Sequence, residues 1–529
     1  MDTKALRQKV LDLAIRGKLV PQDPNDEPAS VLLEHIRQQK QQMVKDGKLK
    51  AKDIKNDTII FVGEDNLHYE KFADGSVKCI EDEIPFDLPD GWAWARLGTV
   101  AEAIGDGDHQ PPPQTSFGVP FLVISNVSGG KLSFENTRFV GEEYFSQLPE
   151  TRKPRNGDLL FTVTGSYGIP VLVDTDDRFC FQRHIAIVRP CIISNCYLYV
   201  VLGSSYVKSI CDDRATGTAQ KTVGLATLRE LLVPVAPYKE QMQIYAQTQD
   251  ALSIIDSISS DKEDLLNIIE NTKAKILDLA IRGQLVPQDP ADEPASVLLE
   301  RIRSEKEELI RQGKIKRDQK ESIIFRGEDN SYYENIDGTI VSIEKDVPFE
   351  LPNGWVWCRI RNIASVRGGK RLPKGTDFSE APTNHTYIRV TDMKNRTVNT
   401  ADLKYISDDV YEQIKSYTIS SKDLYVTIAG TIGVVGEVPD NLDGMNLTEN
   451  AVKVCDITIN KKYLCYILLS SFVQQQFQDK THQVAMPKLA LERILTTLIP
   501  LPPLKEQERL VNVIDKSTSW LDGIQTVLT

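Results

Sequence analysis

Apolar positions in Lys239–Gly283 recur alternately four and three residues apart, at Ile244, Thr248, Ala251, Ile255, Ile258, Lys262, Leu265, Ile269, Thr272, Ile276 and Leu279. This is the seam of one long helix, weakened at Thr248, Lys262 and Thr272. Leu6, Val10 and Leu13 show the same spacing near the N-terminus, where residues 3–19 are expected to be helical and Gly17 with Pro21 supplies a stop. Leu510, Ile514, Ser517, Leu521 and Ile524 show it at the C-terminus. A second helix is expected over Glu27–Lys50, with a copy at Glu293–Lys316; its charged residues make either a solvated face or a docking arm for another chain.

Elsewhere the period shortens to two. Thr58–Ile80 reads as a small hairpin, TIIF and SVKCI around turn signals at Gly63-Glu64-Asp65 and Asp74-Gly75, and SIIFRGEDNSYYENIDGTIVSI is its copy. Each leads into a matched strand, PFDLPDGWAWARL at 85–97 and PFELPNGWVWCRI at 348–360. Pro89 and Gly91 make a turn there, and of each tryptophan pair, Trp92/Trp94 and Trp355/Trp357, one ring is expected inside and one outside. Two blocks rich in short β-branched runs follow, each with a helix, near 196–213 and 463–478.

These patterns are one pattern used twice. Leu11–Glu34 returns at Leu277–Glu300 with two changes, Lys18 to Gln284 and Asn25 to Ala291, and Lys239-Glu240-Gln241 returns at Lys505-Glu506-Gln507, both in a register of 266 positions. The two chain ends therefore read as one segment that was cut, and Lys239–Pro290 as its uncut copy, a repeat closed into a ring. Residues near Met1 and Thr529 are then expected beside Glu263–Asn267. Between the frames the repeat decays to a skeleton. Gly157-Asp158-Leu159-Leu160 matches Lys422-Asp423-Leu424-Tyr425, Gly165–Gly168 matches Gly430–Gly433, and Gln182-Arg183-His184 lies opposite Thr448-Glu449-Asn450. Matched frames with unmatched inserts suit two independent reading heads; drift after duplication would have blurred the frames too.

Composition narrows the class. The 529 residues allow several domains, and no apolar run approaches the ~20 residues that span a bilayer. The N-terminal MDTKALRQKVLD is a helix start without a signal-peptide core, so a cytoplasmic protein is expected. A net charge of −12 argues against non-specific coating of DNA but leaves local contact open. The eight cysteines, at 79, 180, 191, 196, 211, 358, 455 and 465, form no CxxC pair and read as buried thiols, with no metal site expected. There is no P-loop, GxSxG, HExxH or Asn/Asp-Pro-Pro-aromatic tetrapeptide. The glycines at 165/168 and 430/433/436 could form a poor phosphate loop, but a strand turn with close backbone approach accounts for them better. The chain is read as a non-catalytic binding and positioning protein.

On the ring-closed repeat, the LPxGWxW motifs at 88–94 and 351–357, the P-x-x-x-x-KEQ segments ending at Gln241 and Gln507, and the GDLL/GT-x-G skeleton, the chain resembles the specificity subunits of type I restriction-modification systems over its whole length. The long LAIRGxLVPQDPxDEPASxLL frames are similar to one subgroup of that family. The resemblance implies a mixed α/β fold: two β-rich α/β target recognition domains separated by two long antiparallel helices, a coiled-coil-like spacer, with pseudo-two-fold, circular organisation. Its segments would be a conserved arm at 1–90, recognition domain one at 91–238, a central conserved region at 239–355, recognition domain two at 356–504 and a half spacer helix at 505–529. It implies double-stranded DNA as ligand, read as a bipartite asymmetric site. The implied partners are two modification subunits carrying S-adenosylmethionine and two restriction subunits using ATP and Mg, with no cofactor in this chain and no membrane. A two-headed protein adaptor that does not bind DNA is the alternative, and a dinucleotide-binding enzyme built on the glycine clusters a weaker one.

Direct readout needs Arg, Lys, Asn and Gln at groove edges, and phosphate contact needs Lys and Arg. In head one the candidates are His109, Gln110, Asn126, Lys131, Arg152, Lys153, Arg155, Ser166, Tyr167, Gln182, Arg183, Gln220 and Lys221. In head two they are Arg367, Lys370, Arg371, Lys374, Arg389, Lys394, Asn395, Arg396, Thr431, Asn450, Gln483 and Lys488.

Overall fold

The computed structural model describes residues 2–107, 112–217, 220–318, 320–479 and 488–529. Its contacts separate two units, 1–262 and 263–529, built on the same plan. Met1 lies outside the described residues, and with it the expected neighbourhood of the two termini.

The long helix runs Tyr238–Ile281, 44 residues, and the division between units falls within it. Ile244, Thr248 and Ile255 are buried along its first part, Ile269, Ala280 and Ile281 along its second. The strict heptad fails in between. Leu265 is exposed, Thr272 turns its hydroxyl to its own Ile268 carbonyl at 2.7 Å, and the covered positions move to Leu266 and Lys273. A straight helix drifts about 20° per heptad, so a stripe counted in sevens from Ile244 has rotated roughly 60° by Leu265.

The N-terminal helix, Thr3–Ile15, is capped by Asp2, whose carboxylate accepts from the Lys4 and Ala5 amides at 2.9 and 3.0 Å. It runs antiparallel to the long helix, with Arg7 ion-paired to Asp256 while Gln22, downstream, reaches Glu240. The second unit uses the same register. Lys273 pairs with Asp522 of the C-terminal helix, Leu504–Leu528, at 2.8 Å, and Gln288 reaches Glu506 at 3.2 Å.

The KEQ motif explains itself at this junction. Glu240 is 1% exposed; one carboxylate oxygen accepts from the Trp92 indole at 2.9 Å, the other from the Gln22 amide at 3.1 Å, and the same amide donates to the Gly17 carbonyl at 2.6 Å. Gln241, fully buried, accepts from the Ser194 amide and donates to the Ala236 carbonyl, at 2.9 and 2.8 Å. Glu506 with Trp355 and Gln288, and Gln507 with Asn460 and Pro502, reproduce the arrangement. Gly17 sits at φ +63, and a Cβ there would stand 2.4 Å from Pro89 Cγ; Gly283 has φ +66 and the same clearance to Pro352.

Both tryptophans of each pair are buried, so neither ring is the outer one: Trp92 and Trp355 stand one residue before their strands, and Trp94 and Trp357 lie within them. Trp92 turns to Glu240, while Trp94 packs on Phe86 and Tyr206. Its strand, Ala93–Arg96, pairs antiparallel with Leu232–Val235, so the two ends of the first variable block leave the frame side by side. Val356–Arg359 pairs with Leu498–Leu501 in the same way.

The second helix is Ala29–Lys45, shorter than expected, and it docks on its own head. Ala29, Leu32, Ile36 and Lys40 are its buried stripe. The Lys40 ammonium, 2% exposed, donates to the Gly98 and Thr99 carbonyls and pairs with Asp57 at 2.7 Å. Lys306 of Ala295–Arg311 does the same with the Arg361 and Asn362 carbonyls and Glu321. The expected hairpin is a three-stranded antiparallel sheet, Ile59–Val62, His68–Lys71 and Val77–Cys79, tied to the head by Arg96 against Glu70 at 2.6 Å. Arg359 and Glu334 serve the second copy at 2.7 Å. The single helices expected near 196–213 and 463–478 are pairs, broken at Ser204 and Ser470, whose buried hydroxyls cap the second member. Six cysteines are buried; Cys79 is exposed and Cys196 half-buried.

Gly17→Ala and Gly283→Ala each force a Cβ into a proline ring at positive φ, and each is expected to destabilise its unit by at least about 1–2 kcal/mol in chemical unfolding. Burial pushes the Glu240 and Glu506 carboxyls up, outweighing the lowering by the glutamine and indole donors. A raised carboxyl holds its proton more tightly in the folded chain, so its contribution is present at low pH and is lost as pH climbs from the ordinary carboxylate range through the raised one. Melting curves from about pH 4 to 8 should therefore show wild type losing stability relative to an E240Q/E506Q variant; a constant difference would contradict the shift.

Candidate nucleic-acid interface

Each head is built on two sheets. In head one the strands Pro170–Leu172, Leu159–Thr162, Ile185–Pro190 and Ala101–Asp106 form an antiparallel sheet in that order. Head two repeats it with Val435–Glu437, Leu424–Thr427, Ala451–Cys455 and Ser365–Gly368. The second sheet centres on a parallel pair, Val119–Leu122 with Cys180–Phe181, or Thr386–Ile388 with Met445–Leu447. Its outer strand differs: Gln114–Thr115 lies beside Arg138–Val140 in head one, Thr418–Ile419 beside Met445–Leu447 in head two.

Where the two sheets meet, the backbones of the heads match bond for bond. The Gln182 and Thr448 amides both donate across the parallel pair, to Leu122 and Ile388, at 3.1 Å. The His184 and Asn450 carbonyls both accept from the next sheet, from Val163 at 2.9 Å and Ile428 at 2.8 Å. Asn126 and Asp392 both close the turn after the parallel strand, accepting from the Val123 and Arg389 amides at 3.0 and 2.8 Å. Gly107 and Gly369 are the close-approach glycines: a Cβ on either would lie 2.1 Å from a carbonyl oxygen, of Phe181 or Thr448. Of the glycines expected to mark close approach, Gly433 and Gly436 do, a Cβ there standing 2.4 Å from Gln474 Oε1 and 2.3 Å from the Tyr425 hydroxyl, while those at 165 and 430 have open space and serve by positive φ.

On that shared backbone the side chains differ. Val123 in head one stands where head two has Arg389, and Gln182-Arg183-His184 stand where it has Thr448-Glu449-Asn450. In head two the result is a cleft of about 400 Å³ lined by Arg371, Leu372, Phe378, Tyr387, Arg389, Val390, Thr391, Thr448, Glu449 and Asn450. Arg371, Arg389 and Asn450 were candidates from sequence; Tyr387 and Glu449 were missed, although Glu449 already faced Arg183 across the repeat.

The remaining candidates sort by what holds them. Asn126 is buried, with both ends of its amide bonded, to the Val123 amide and the Glu135 carbonyl. Arg396 turns to the C-terminal helix, donating to the Tyr466 hydroxyl at 3.3 Å and pairing with Asp522 at 3.6 Å; Asn395 and Arg396, both at positive φ, form the turn that delivers it. The structure thus gives Asn126 and Arg396 internal partners. Arg389 is clamped by Asp392 and by the Asp402 carbonyl, each at 2.6 Å. Arg152 reaches the Asp106 carbonyl, and Lys153 and Arg155 both pair with Glu150. Tyr167 donates to Asp212 with Lys208 over its ring, and Arg367 pairs with Asp456. Lys131, Ser166, Arg183, Gln220, Lys221, Lys370, Lys374, Lys394, Thr431 and Lys488 are exposed, and Gln182 is half-buried. Burial, then the neighbouring Arg183, lowers the His184 imidazole below its ordinary value, and its Nδ1 is buried without a partner among the described residues. His109, Gln110 and Gln483 lie outside the described residues.

Two like scaffolds thus carry unlike side chains at the same junction, a two-headed architecture. Residues 352–526 match the family model "Type I restriction modification DNA specificity domain". The chain is 26% identical over 584 residues to the type I restriction enzyme EcoAI specificity subunit of Escherichia coli, covering 99% of this chain and 90% of that one. It is 24% identical to the EcoEI specificity subunit of the same organism, with the same coverage. A solved chain described under "Structural basis underlying complex assembly and conformational transition of the type I R-M system" shares its fold, with a TM-score of 0.55 at 16% identity over 84% of this chain and 94% of that one. Over nearly its whole length the chain is thus similar to specificity subunits of type I restriction enzymes.

Arg389→Ala removes the clamp on the buried Asp392. The loss of hydrogen bonds to a charged group is expected to cost about 1.5–3 kcal/mol in the unfolding of head two. Unchanged unfolding would return Arg389 to the list of side chains available to a ligand.

Proposed function

We propose that this chain is the DNA-recognition subunit of a type I restriction-modification complex, each head reading one half of a bipartite, asymmetric site. The observation that carries this reading is the matched backbone with unmatched side chains at the junction of the two sheets. A shared framework keeps each head in the same posture, while Gln182-Arg183-His184 and Thr448-Glu449-Asn450 present different donors and acceptors. Base edges in the major groove are distinguished by such patterns.

The long helix, 44 residues at 1.5 Å rise, measures roughly 66 Å, against about 34 Å for a turn of DNA. With the split helix as its antiparallel companion it would set the gap between the half-sites and carry two modification subunits. Those would bring S-adenosylmethionine and methylate an adenine in each half-site after flipping it from the stack. Two restriction subunits would add ATP- and Mg-dependent chemistry, and this chain would contribute no catalytic group. With the chain's net charge at −12, the phosphate contacts would fall to local lysines and arginines and to the partners.

The test is selection from a randomised duplex pool with this chain co-purified with its modification subunit, read beside the methylated positions of a host expressing both. A split motif is expected, and binding without any preference would overturn the proposal in favour of a protein adaptor. Replacing residues 91–238 with the corresponding block of another specificity subunit is expected to change one half-site and leave the other half and the gap intact.

A further inference from the structure

Arg371 differs from the other arginines of head two in how it is held. Its Nε donates to Glu449 Oε1 at 2.7 Å while its side chain stays 79% exposed. Neither terminal nitrogen has a partner among the described residues, whereas Arg367 spends a terminal nitrogen on Asp456, Arg389 on Asp392 and Asp402, and Arg396 both of its own on Tyr466 and Asp522. Glu449 is itself fixed. Its second oxygen accepts from the Thr448 hydroxyl at 3.1 Å and lies 3.3 Å from the Tyr387 hydroxyl oxygen, and the Lys488 ammonium reaches its backbone carbonyl at 3.3 Å. Tyr387 in turn donates to the Lys370 carbonyl at 2.7 Å, which anchors the segment that carries Arg371.

A guanidinium fastened at Nε keeps its two terminal N–H groups side by side, pointing outward as a rigid fork. Guanine offers the matching pair of acceptors, O6 and N7, on its major-groove edge, and no other base presents two adjacent acceptors there. The same fork matches two phosphate oxygens, but only the contact to a base edge depends on sequence, and the test below separates the two. The pairing also neutralises Glu449, which would otherwise repel the DNA backbone.

From this geometry we infer that Arg371, buttressed by Glu449, is a specificity-determining residue of head two and reads a guanine in its half-site. The inference rests on the proposed function and goes beyond it by naming the base and the group that holds the reader in place. In head one the position of Glu449 is taken by Arg183, so the same buttress is absent there and the two heads are expected to read differently at this point.

The test compares the wild-type complex of this chain and its modification subunit with R371A, R371K and E449Q, each selected on the randomised duplex pool at two salt concentrations. In the head-two half-site, R371A is expected to lose preference for one guanine by roughly ten- to hundred-fold, with every other position unchanged. R371K keeps the charge without the fork and is expected to lose the same preference while retaining the salt dependence of wild type. E449Q is expected to weaken that preference partially, leaving the salt slope intact. The head-one half-site serves as the control for folding in every variant. Uniform weakening by R371A on all sequences, or full preference retained by R371K, would make Arg371 a phosphate contact and overturn the inference. A wild-type head-two motif without a guanine that responds to Arg371 would overturn it as well. Loss of the head-one motif in R371A, while R371K and E449Q keep all preferences, would reassign Arg371 to structure. No preference in the wild-type complex itself would instead bring down the proposed function.

Discussion

Much of each unit hangs on one buried carboxylate. Glu240 and Glu506 lie at the first turn of a long helix with almost no exposure, each with both oxygens committed, one to an indole and one to a glutamine amide. The indole belongs to the segment that leads into a head, the amide to the loop that follows the neighbouring helix, so three distant stretches converge on one side chain. Burying such a group is costly unless every lone pair is met. The frame supplies one donor to each oxygen, from residues kept nearly unchanged in both copies, and the remaining cost of burial shows in the raised carboxyls. The glutamine after each glutamate adds a fourth stretch, the start of the first helix pair of the head.

That junction separates two kinds of constraint. Residues around it, Gly17, Pro89, Trp92 and their counterparts, are fixed by contact distances of a few ångströms, and little else fits. Residues on the rim where the two sheets of a head meet are held through their backbones: Gln182 and Thr448 make the same amide hydrogen bond whatever side chain they carry. Such a scaffold tolerates different surface chemistry without altering its shape, which is the property a family of readers needs.

Much of this architecture is legible in the sequence, and the parts that are not share a cause. The offset of 266 positions, legible in the sequence, maps the Arg7–Asp256 pair of the structure onto Lys273–Asp522. The heptad count failed at Leu265 and Thr272 because it presumes continuous supercoiling, and the stripe drifts on a straighter helix. Lys40 was read as part of a solvated face, yet it stands one i+4 step beyond Ile36 in the buried stripe, where its ammonium meets backbone carbonyls that no local pattern reveals. Of the candidate readers, residue type alone could not tell Arg371 from Arg389 or Arg396. The distinction lies in which acceptors the fold brings near, Asp402, Tyr466 and Asp522, and these are distant in sequence.

The two-stranded ribbon at the base of each head sets the terms on which a head may grow. Ala93–Arg96 and Leu232–Val235 are hydrogen-bonded neighbours, so the chain leaves and re-enters the frame within about 5 Å. Once that ribbon is zipped, a longer loop beyond it adds little entropy cost, about 0.6 kcal/mol for each doubling of length. Loops at the far side of a head can therefore lengthen, shorten or be replaced wholesale while the frame feels the same two strand ends. The ribbon acts as a socket, and its geometry separates the rate at which new heads can be tried from the rate at which the frame can change.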